Sequence, residues 1–275
     1  MNLRPFLSLL FAATFALGLA ACGSDDEEED PVDTSYVEGS VESLYNEGMD
    51  LLLQERQKEA ADMFAEVERQ HPYSVWATKS QIMAGYAYYQ ASEYDDAINS
   101  LDRFISLHPG NRDTGYAYYL RALSYYEQIS DVKRDQRITE LALNAFEEVV
   151  RRFPHTKYAS DAAEKTDLTR DHLAGKEMDI GRYYLRQQQY LAAINRFRRV
   201  IEQFQTSTHT PEALHRLVES YMALGLTGEA QRTAAVLGYN FPESPWYADS
   251  YQLVEGVEIR REPGQDEGSF WSWLF

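Results

Sequence analysis

Five copies of one short pattern constrain the fold of this chain more than any other sequence feature. Each copy has an alanine, a small or apolar residue four positions later, and an apolar residue three positions after that. The copies are Ala60-Phe64-Val67, Ala97-Leu101-Phe104, Ala142-Phe146-Val149, Ala193-Phe197-Val200 and Ala230-Ala234-Leu237. This spacing places the three residues on one face of an α-helix. In four copies a proline follows five positions later and predicts the end of the helix, whereas Gln205 stands there in the fourth copy.

A second helical pattern precedes the copies, so each unit is predicted to contain two helices. Leu44, Gly48 and Leu51 precede the first copy, and glycines recur at Gly85 and Gly181, where they would let two helices approach closely. The whole pattern resembles the tetratricopeptide repeat, which implies two antiparallel helices in each unit. One unit cannot bury its apolar face alone. We therefore predict an all-α tetratricopeptide-repeat solenoid of five helix pairs with a concave surface, the alternative being a helical bundle in which the register recurs by coincidence.

The distances between the alanines are unequal, at 37, 45, 51 and 37 residues, and they predict two interruptions. The spacing of 45 residues comes from a polar insertion after Tyr126, which is predicted to be a loop. The spacing of 51 residues comes from a helical pattern without a proline, which predicts one long helix from about Ser160 to Tyr184. This helix would separate repeats one to three, at residues 41–156, from a segment at residues 157–255 that contains the long helix and repeats four and five.

The N-terminus has the pattern of a bacterial lipoprotein. Arg4 precedes an apolar stretch that ends at Ala21, and these residues 1–21 are typical of a signal peptide. Leu19-Ala20-Ala21-Cys22 resembles the lipobox, which implies that Cys22 is acylated; the alternative is a plain signal peptide that happens to contain a cysteine. By the same resemblance, Gly23 and Ser24 imply transfer to the outer membrane. Six acidic residues follow, so residues 22–40 are predicted to be an extended tether rather than a calcium loop.

Charge and composition exclude several classes of function. The net charge of −18 argues against a nucleic-acid-binding protein, and the mean hydropathy of −0.51 excludes a polytopic membrane protein. The six histidines have no zinc-type spacing, and we find no phosphate-binding glycine loop and no nucleophile with its partners. His71 and His108 precede prolines and are interpreted as helix C-caps. We therefore expect a protein that is not an enzyme and that has neither a cofactor nor a metal site.

A candidate peptide groove follows from the repeat resemblance, because the first helices of tetratricopeptide repeats line the concave face. The positions that correspond in this chain are Tyr45, Met49, Leu52, Lys79, Ile82, Tyr86, Tyr89 and Leu120. Aromatic side chains with one lysine suit an extended peptide that carries aromatic residues and a free carboxylate. The alternative is that the tyrosines only pack between repeats.

Residues 176–200 are basic although the chain as a whole is acidic. Six lysines and arginines outnumber Glu177 and Asp179, so that the segment has a net charge of +4. The candidate contacts to an acidic partner are Arg182, Arg186, Arg196 and Arg199. The alternative is a solvated helix face.

The last residues, 256–275, are predicted to form a flexible tail with an aromatic end. Trp271, Trp273 and Phe275 alternate with other residues. Such an end should not lie free in water and is expected to contact a membrane interface or a partner. Our hypothesis is that it imitates the aromatic C-terminal strand of outer-membrane barrels and competes for the protein's own groove.

The lipobox, the five repeats and two longer segments resemble the BamD (ComL/YfiO-like) family of lipoproteins of the β-barrel assembly machinery. The segments are Tyr88–Pro109 and Tyr119–Ala162, and the resemblance covers residues 41–250. It implies a lipid-anchored scaffold on the periplasmic face of the outer membrane that binds unfolded outer-membrane proteins through its N-terminal repeats. It also implies other Bam lipoproteins as partners and docking of the C-terminal repeats to the POTRA domains of BamA, with Arg196 at a contact position. The alternative is a periplasmic repeat adaptor for cell-wall or division factors; the insertion after Tyr126 and the long helix favour the first interpretation.

Overall fold

The computed structural model describes residues 40–256, and this part of the chain contains eleven α-helices and no strand. The helices are α1 Val41–Leu53, α2 Gln57–Gln70, α3 Val75–Gln90, α4 Tyr94–Leu107, α5 Thr114–Tyr126, α6 Arg137–Arg152, α7 Lys157–Arg186, α8 Tyr190–Gln203, α9 Thr210–Ala223, α10 Thr227–Asn240 and α11 Pro245–Glu255. The all-α prediction is therefore confirmed.

The helices pack in the order in which they occur along the chain. Every helix contacts the next one along the chain. Further contacts join α1 to α3, α3 to α5, α5 to α7, and α9 to α11. These additional contacts place the odd-numbered helices side by side within one layer. A helical solenoid is defined by such contacts, in which each repeat packs only against the neighbouring repeats.

The repeated pattern forms the core. All of its residues are buried, and Phe64, Phe104, Phe146 and Phe197 have no exposed surface. The recurring glycines have the predicted role: a Cβ atom on Gly48 would lie 2.8 Å from the Phe64 ring. A Cβ atom on Gly85 would lie 2.7 Å from the Leu101 side chain, and one on Gly181 would lie 2.4 Å from the Phe197 ring. Each glycine thus makes room for the large residue of its own repeat.

The two predicted interruptions are present. Residues 127–136 form the loop between α5 and α6, and α7 is a single helix of 30 residues, about 45 Å long. Its first turn is capped by Thr156, whose Oγ1 accepts a hydrogen bond of 3.3 Å from the Ala159 amide. The first half of α7 contributes Ala162 to the core cluster of α3–α6, whereas the second half contributes Met178 to the cluster of α8 and α9. One helix therefore takes part in two cores.

Helix α11 is an addition to the five predicted pairs. It packs on α9 and α10 and covers the end of the array, where Val254 contacts the cluster of Val218, Ala230 and Ala234. The helix is capped at its C-terminus by Gly256, whose φ of +69° is in the left-handed region that glycine adopts readily. The five copies of the repeat pattern end at Leu237 and its following Pro242, so that this helix lies outside the predicted pairs.

The signal peptide, Cys22, the acidic tether and the aromatic tail lie outside the described residues. Within residues 40–256, His71 and His108 are helix C-caps as predicted. None of the helices described here combines the length and the apolar character that crossing a membrane requires.

Candidate binding surfaces on the helical repeats

An aromatic surface with one ammonium group lies on the N-terminal helices. Tyr45 of α1 and Trp76 of α3 contact each other with ring centroids 4.8 Å apart, and the Lys79 Nζ lies 4.8 Å from the centroid of the Trp76 ring. Lys79 is exposed, whereas Tyr45 and Met49 are half-buried against the core of the first repeat. Burial raises the pKa of Tyr45 above its ordinary value. Trp76 was missed as a groove residue, although its position one turn before Lys79 was a usable signal.

The other two groove tyrosines belong to a larger cluster. Tyr86 and Tyr89 of α3 are half-buried and pack against the same core as Tyr116 and Tyr119 of α5. Tyr158 of α7 completes the cluster, with its ring centroid 5.6 Å from that of Tyr116 and 5.4 Å from that of Tyr119. Three helices therefore share one patch of aromatic rings, of which the sequence analysis identified only the α3 members.

Two phenol groups of this cluster, those of Tyr89 and Tyr116, remain protonated at neutral pH. Burial raises the pKa of Tyr89 to about 12, and the nearby carboxylate of Glu127 adds to the shift. Burial also raises the pKa of Tyr116 to about 12. The hydroxyl of Tyr119 donates a hydrogen bond to Asp161. The surface thus combines apolar ring faces with hydroxyl donors, which suits an extended peptide backbone.

Two of the predicted groove residues do not face a groove. Ile82 is 8% exposed and Leu120 is 2% exposed, and both lie in the core formed by α3 to α7. Their assignment to the groove lining was therefore wrong. Each side chain packs between neighbouring helices, where apolar surface is more stable than in contact with water. The half-buried Leu52 remains at the edge of the first repeat.

The predicted basic segment is largely neutralised by ion pairs. Glu177 of α7 is buried and contacts both Arg196 and Arg199 of α8 at 3.1 and 2.9 Å. Arg198 contacts Glu202 at 2.9 Å on the same helix. The structure thus brings Arg196 and Arg199 together around one carboxylate. It leaves Arg186 exposed at the end of α7, apart from that group.

Arg182 belongs to a different network, which joins α7, α9 and α11. Its Nε donates to the Glu212 Oε1 at 2.9 Å, and Glu212 also accepts from Arg216 at 3.3 Å. Arg216 in turn contacts Glu219 at 2.8 Å. Burial alone would raise the pKa of Glu212, but the hydrogen bonds and charges of the two arginines outweigh it and lower that pKa overall. Arg182 therefore stabilises the C-terminal fold.

The network ends in a buried histidine. His215 is 2% exposed, its Nδ1 lies 2.9 Å from the Ser250 Oγ on α11, and its ring lies 5.3 Å from that of Trp246. The His215 Nε2 lies 3.4 Å from a carboxylate oxygen of Glu219. Burial would raise the pKa of Glu219, but the nearby His215 ring and the hydrogen bond that Arg216 donates to its carboxylate lower it overall. These polar contacts hold α11 against α9.

Within residues 40–256, no group of three or more histidine, cysteine, aspartate or glutamate side chains could hold a metal ion. An open groove of about 310 Å³ lies where α6, α7 and α8 meet, and Leu143, Leu173 and Phe204 line it beside Lys176, Glu177 and Arg199. Another of about 340 Å³ lies between the 127–136 loop and α7, beside Leu168 and His172. Fold and surfaces together define a helical-repeat protein with candidate binding surfaces.

The comparisons with known proteins agree with this class. The family model described as YfiO, outer membrane lipoprotein, matches residues 37–237. A Caulobacter vibrioides relative named outer membrane protein assembly factor BamD is 51% identical over 94% of this chain and 83% of its own length. Relatives of the same name are 46% identical in Rickettsia prowazekii, over 92% of this chain and 99% of the relative, and 33% identical in Neisseria meningitidis serogroup A, over 89% and 95%.

The chain belongs to this YfiO/BamD family of outer-membrane lipoproteins. Members carry the name of an assembly factor, which denotes a scaffold or adaptor and not an enzyme. Among solved structures, the TPR2AB domain of yeast Sti1 matches 78% of this chain and 82% of that chain at 11% identity, with a TM-score of 0.41.

Proposed function

We propose that this protein is a lipid-anchored periplasmic scaffold of the β-barrel assembly machinery, which binds BamA and unfolded outer-membrane proteins and promotes their folding and insertion. The observation that carries the proposal is the 51% identity to a relative named outer membrane protein assembly factor BamD, over 94% of the chain. Acylation of Cys22 would attach the scaffold to the periplasmic face of the outer membrane. The other Bam lipoproteins are proposed as further partners.

The substrate surface in this proposal is the aromatic face of α1 and α3. Unfolded barrel proteins expose strands with alternating aromatic residues, and Tyr45 and Trp76 offer ring faces to such side chains. The exposed ammonium of Lys79 beside Trp76 suits a terminal carboxylate. Met49 and the tyrosines Tyr86 and Tyr89 would extend the apolar contact along the same helices.

The partner surface is the region of α7 and α8 that carries Arg186, Arg196 and Arg199. Their guanidinium groups are at least partly exposed, so that acidic side chains of the POTRA domains of BamA can reach them. Arg182 contributes indirectly, because its guanidinium is already paired with Glu212. We retain it as part of the docking region and not as a contact.

The proposal is tested by purifying the full-length lipidated protein from native membranes in mild detergent and identifying what accompanies it. We expect a stoichiometric barrel protein with periplasmic POTRA domains. The Arg196→Glu variant should lose this protein. Arg198→Glu is the matched control, because it makes the same charge change on the same helix. Cell-wall enzymes or division factors without any barrel protein would favour the periplasmic adaptor instead.

A further inference from the structure

Arg196, Arg199 and Glu177 form a compact triad between α7 and α8. The two arginines are three residues apart and therefore share one face of α8. The Arg196 Nη1 donates to the Glu177 Oε2 at 3.1 Å, and the Arg199 Nη1 lies 2.9 Å from Oε1. The Glu177 side chain is only 10% exposed, whereas those of the arginines are 32% and 47% exposed. A buried carboxylate thus holds two guanidinium groups that reach the solvent.

The contacts with Glu177 leave most of the hydrogen-bonding capacity of both arginines unused. A guanidinium carries five N–H donors, and the contact to Glu177 engages one terminal nitrogen of each. The triad has a net charge of +1. Without Glu177, two like charges on adjacent turns would repel each other, and their long side chains would be free to spread. The carboxylate therefore keeps both groups in one place.

The groove beside the triad is mixed in character: Gln136, Glu140 and Asn144 line it together with three apolar side chains. Leu143 of α6, Leu173 of α7 and Phe204, directly after α8, line the open groove of about 310 Å³ in which Glu177 and Arg199 also lie. A ligand that fits both features has a carboxylate for the arginines and an adjacent apolar side chain for the groove. This chemistry describes an acidic loop of a protein partner better than a nucleic acid or a lipid surface.

We infer that Glu177 is a positioning residue, which presents Arg196 and Arg199 as a preformed receptor for one carboxylate of the docking partner. The inference rests on the function proposed above and specifies the chemistry of that docking face. Preorganisation of this kind lowers the entropy lost on binding and slows dissociation. The partner would offer an aspartate or glutamate flanked by an apolar residue.

The test measures association and dissociation rates of the mature full chain in detergent with the periplasmic POTRA domains of BamA. For Glu177→Gln we expect a dissociation rate at least about fivefold faster than that of the wild type. Glu177→Asp should restore part of the difference. The matched control is Glu202→Gln, which removes a carboxylate paired with Arg198 on the same helix and should leave the dissociation rate unchanged. Thermal unfolding of each variant identifies any that fails to fold.

A double-mutant cycle separates positioning from a general structural effect. In an Arg196→Ala background, Glu177→Gln should change the dissociation rate much less than in the wild type, because its effect passes through Arg196. An undiminished effect in that background would overturn the inference. If Arg196→Ala weakens binding while Glu177→Gln binds as well as the wild type or better, the inference is wrong and the proposed docking face stands. If Arg196→Ala itself has no effect, the proposed docking face fails.

Discussion

Phe197 occupies the space that any side chain at position 181 would need. A Cβ atom on Gly181 would lie 2.4 Å from the Phe197 Cε1, and both residues belong to the fourth repeat. Because Phe197 is fully buried, its ring cannot move into solvent to relieve the clash. The helices α7 and α8 approach as closely as they do because this glycine has no side chain.

We predict that Gly181→Ala destabilises the protein although alanine is the better helix former. Overpacking of a core typically costs about 1–3 kcal/mol, and the gain in helix propensity offsets about 1 kcal/mol of it. A net loss of up to roughly 2 kcal/mol should appear in urea denaturation, and the variant should be less stable than its control. Gly228→Ala is the control, since a Cβ atom there meets only the end of the Arg232 side chain, at 3.9 Å. A Gly181→Ala variant as stable as this control would contradict the packing argument.

Lys79 should discriminate between peptides with and without a terminal carboxylate. The probe is a ten-residue peptide from the last strand of an outer-membrane barrel, ending in phenylalanine. Lys79→Ala should weaken binding of the free acid by up to about fivefold, the range of an exposed ion pair, and leave the amidated peptide unchanged. Lys58→Ala, on the exposed face of α2, is the control. Fluorescence anisotropy measures both, and equal losses for acid and amide would exclude a carboxylate contact.

Stability should fall in acid because of the C-terminal network. The pKa values of Glu212 and Glu219 are lowered in the folded protein. Their contribution to stability is therefore complete above the unfolded pKa of about 4.3 and is lost as the pH falls further, through the folded pKa values. The free energy of unfolding should decline below about pH 4. Glu219→Gln should be less stable at pH 7 and should decline less steeply in acid; a parallel decline would contradict this assignment.

Alkaline pH should destabilise the protein through the tyrosine cluster. The pKa of Tyr116 is raised to about 12 in the folded state, whereas an unfolded tyrosine ionises near 10. The stability that this difference contributes is complete below about pH 10 and is lost as the pH rises toward 12. Tyr116→Phe should remove part of this decline, measured as the free energy of unfolding between neutral pH and about pH 11. Tyr73→Phe is the control, because Tyr73 is fully exposed.

The aromatic tail should compete with barrel peptides. Deleting residues 270–275 removes Trp271, Trp273 and Phe275. If these side chains occupy the protein's own groove, the truncated chain will bind the barrel peptide more tightly than the full chain. The comparison uses the same anisotropy measurement, with Ser272→Ala as a control that keeps the aromatic residues. Equal affinities of the truncated and full chains would reject the hypothesis.

Much of the fold was predictable from the sequence because it depends on local spacing. The buried Ala60, Phe64 and Val67, and their equivalents in the other repeats, are separated by helical periods, so that one helix face determines them. The loop after Tyr126 and the long helix α7 followed from the lengths between repeats. The extra helix α11 did not, because it lies after the last of the five copies of the pattern.

The candidate surfaces were predictable only in part. The sequence indicated Tyr45, Lys79 and the basic segment, since these residues lie at repeat positions or in a run of like charge. It placed Ile82 and Leu120 in the groove, because a position in a repeat does not state how closely the next helix packs. Their burial depends on neighbours in other repeats.

The sequence by itself determined the class of fold, the register of its repeats and the residues that form its core, because helical periodicity is a local property. Only the tertiary structure decided which charges meet. Arg121 of α5 contacts Asp102 of α4 at 2.6 Å and Glu148 of α6 at 2.9 Å. In the same way, Glu177 of α7 contacts two arginines of α8. Such contacts depend on the angle and separation of packed helices. These are set by the side chains in the interface and not by spacing along the chain.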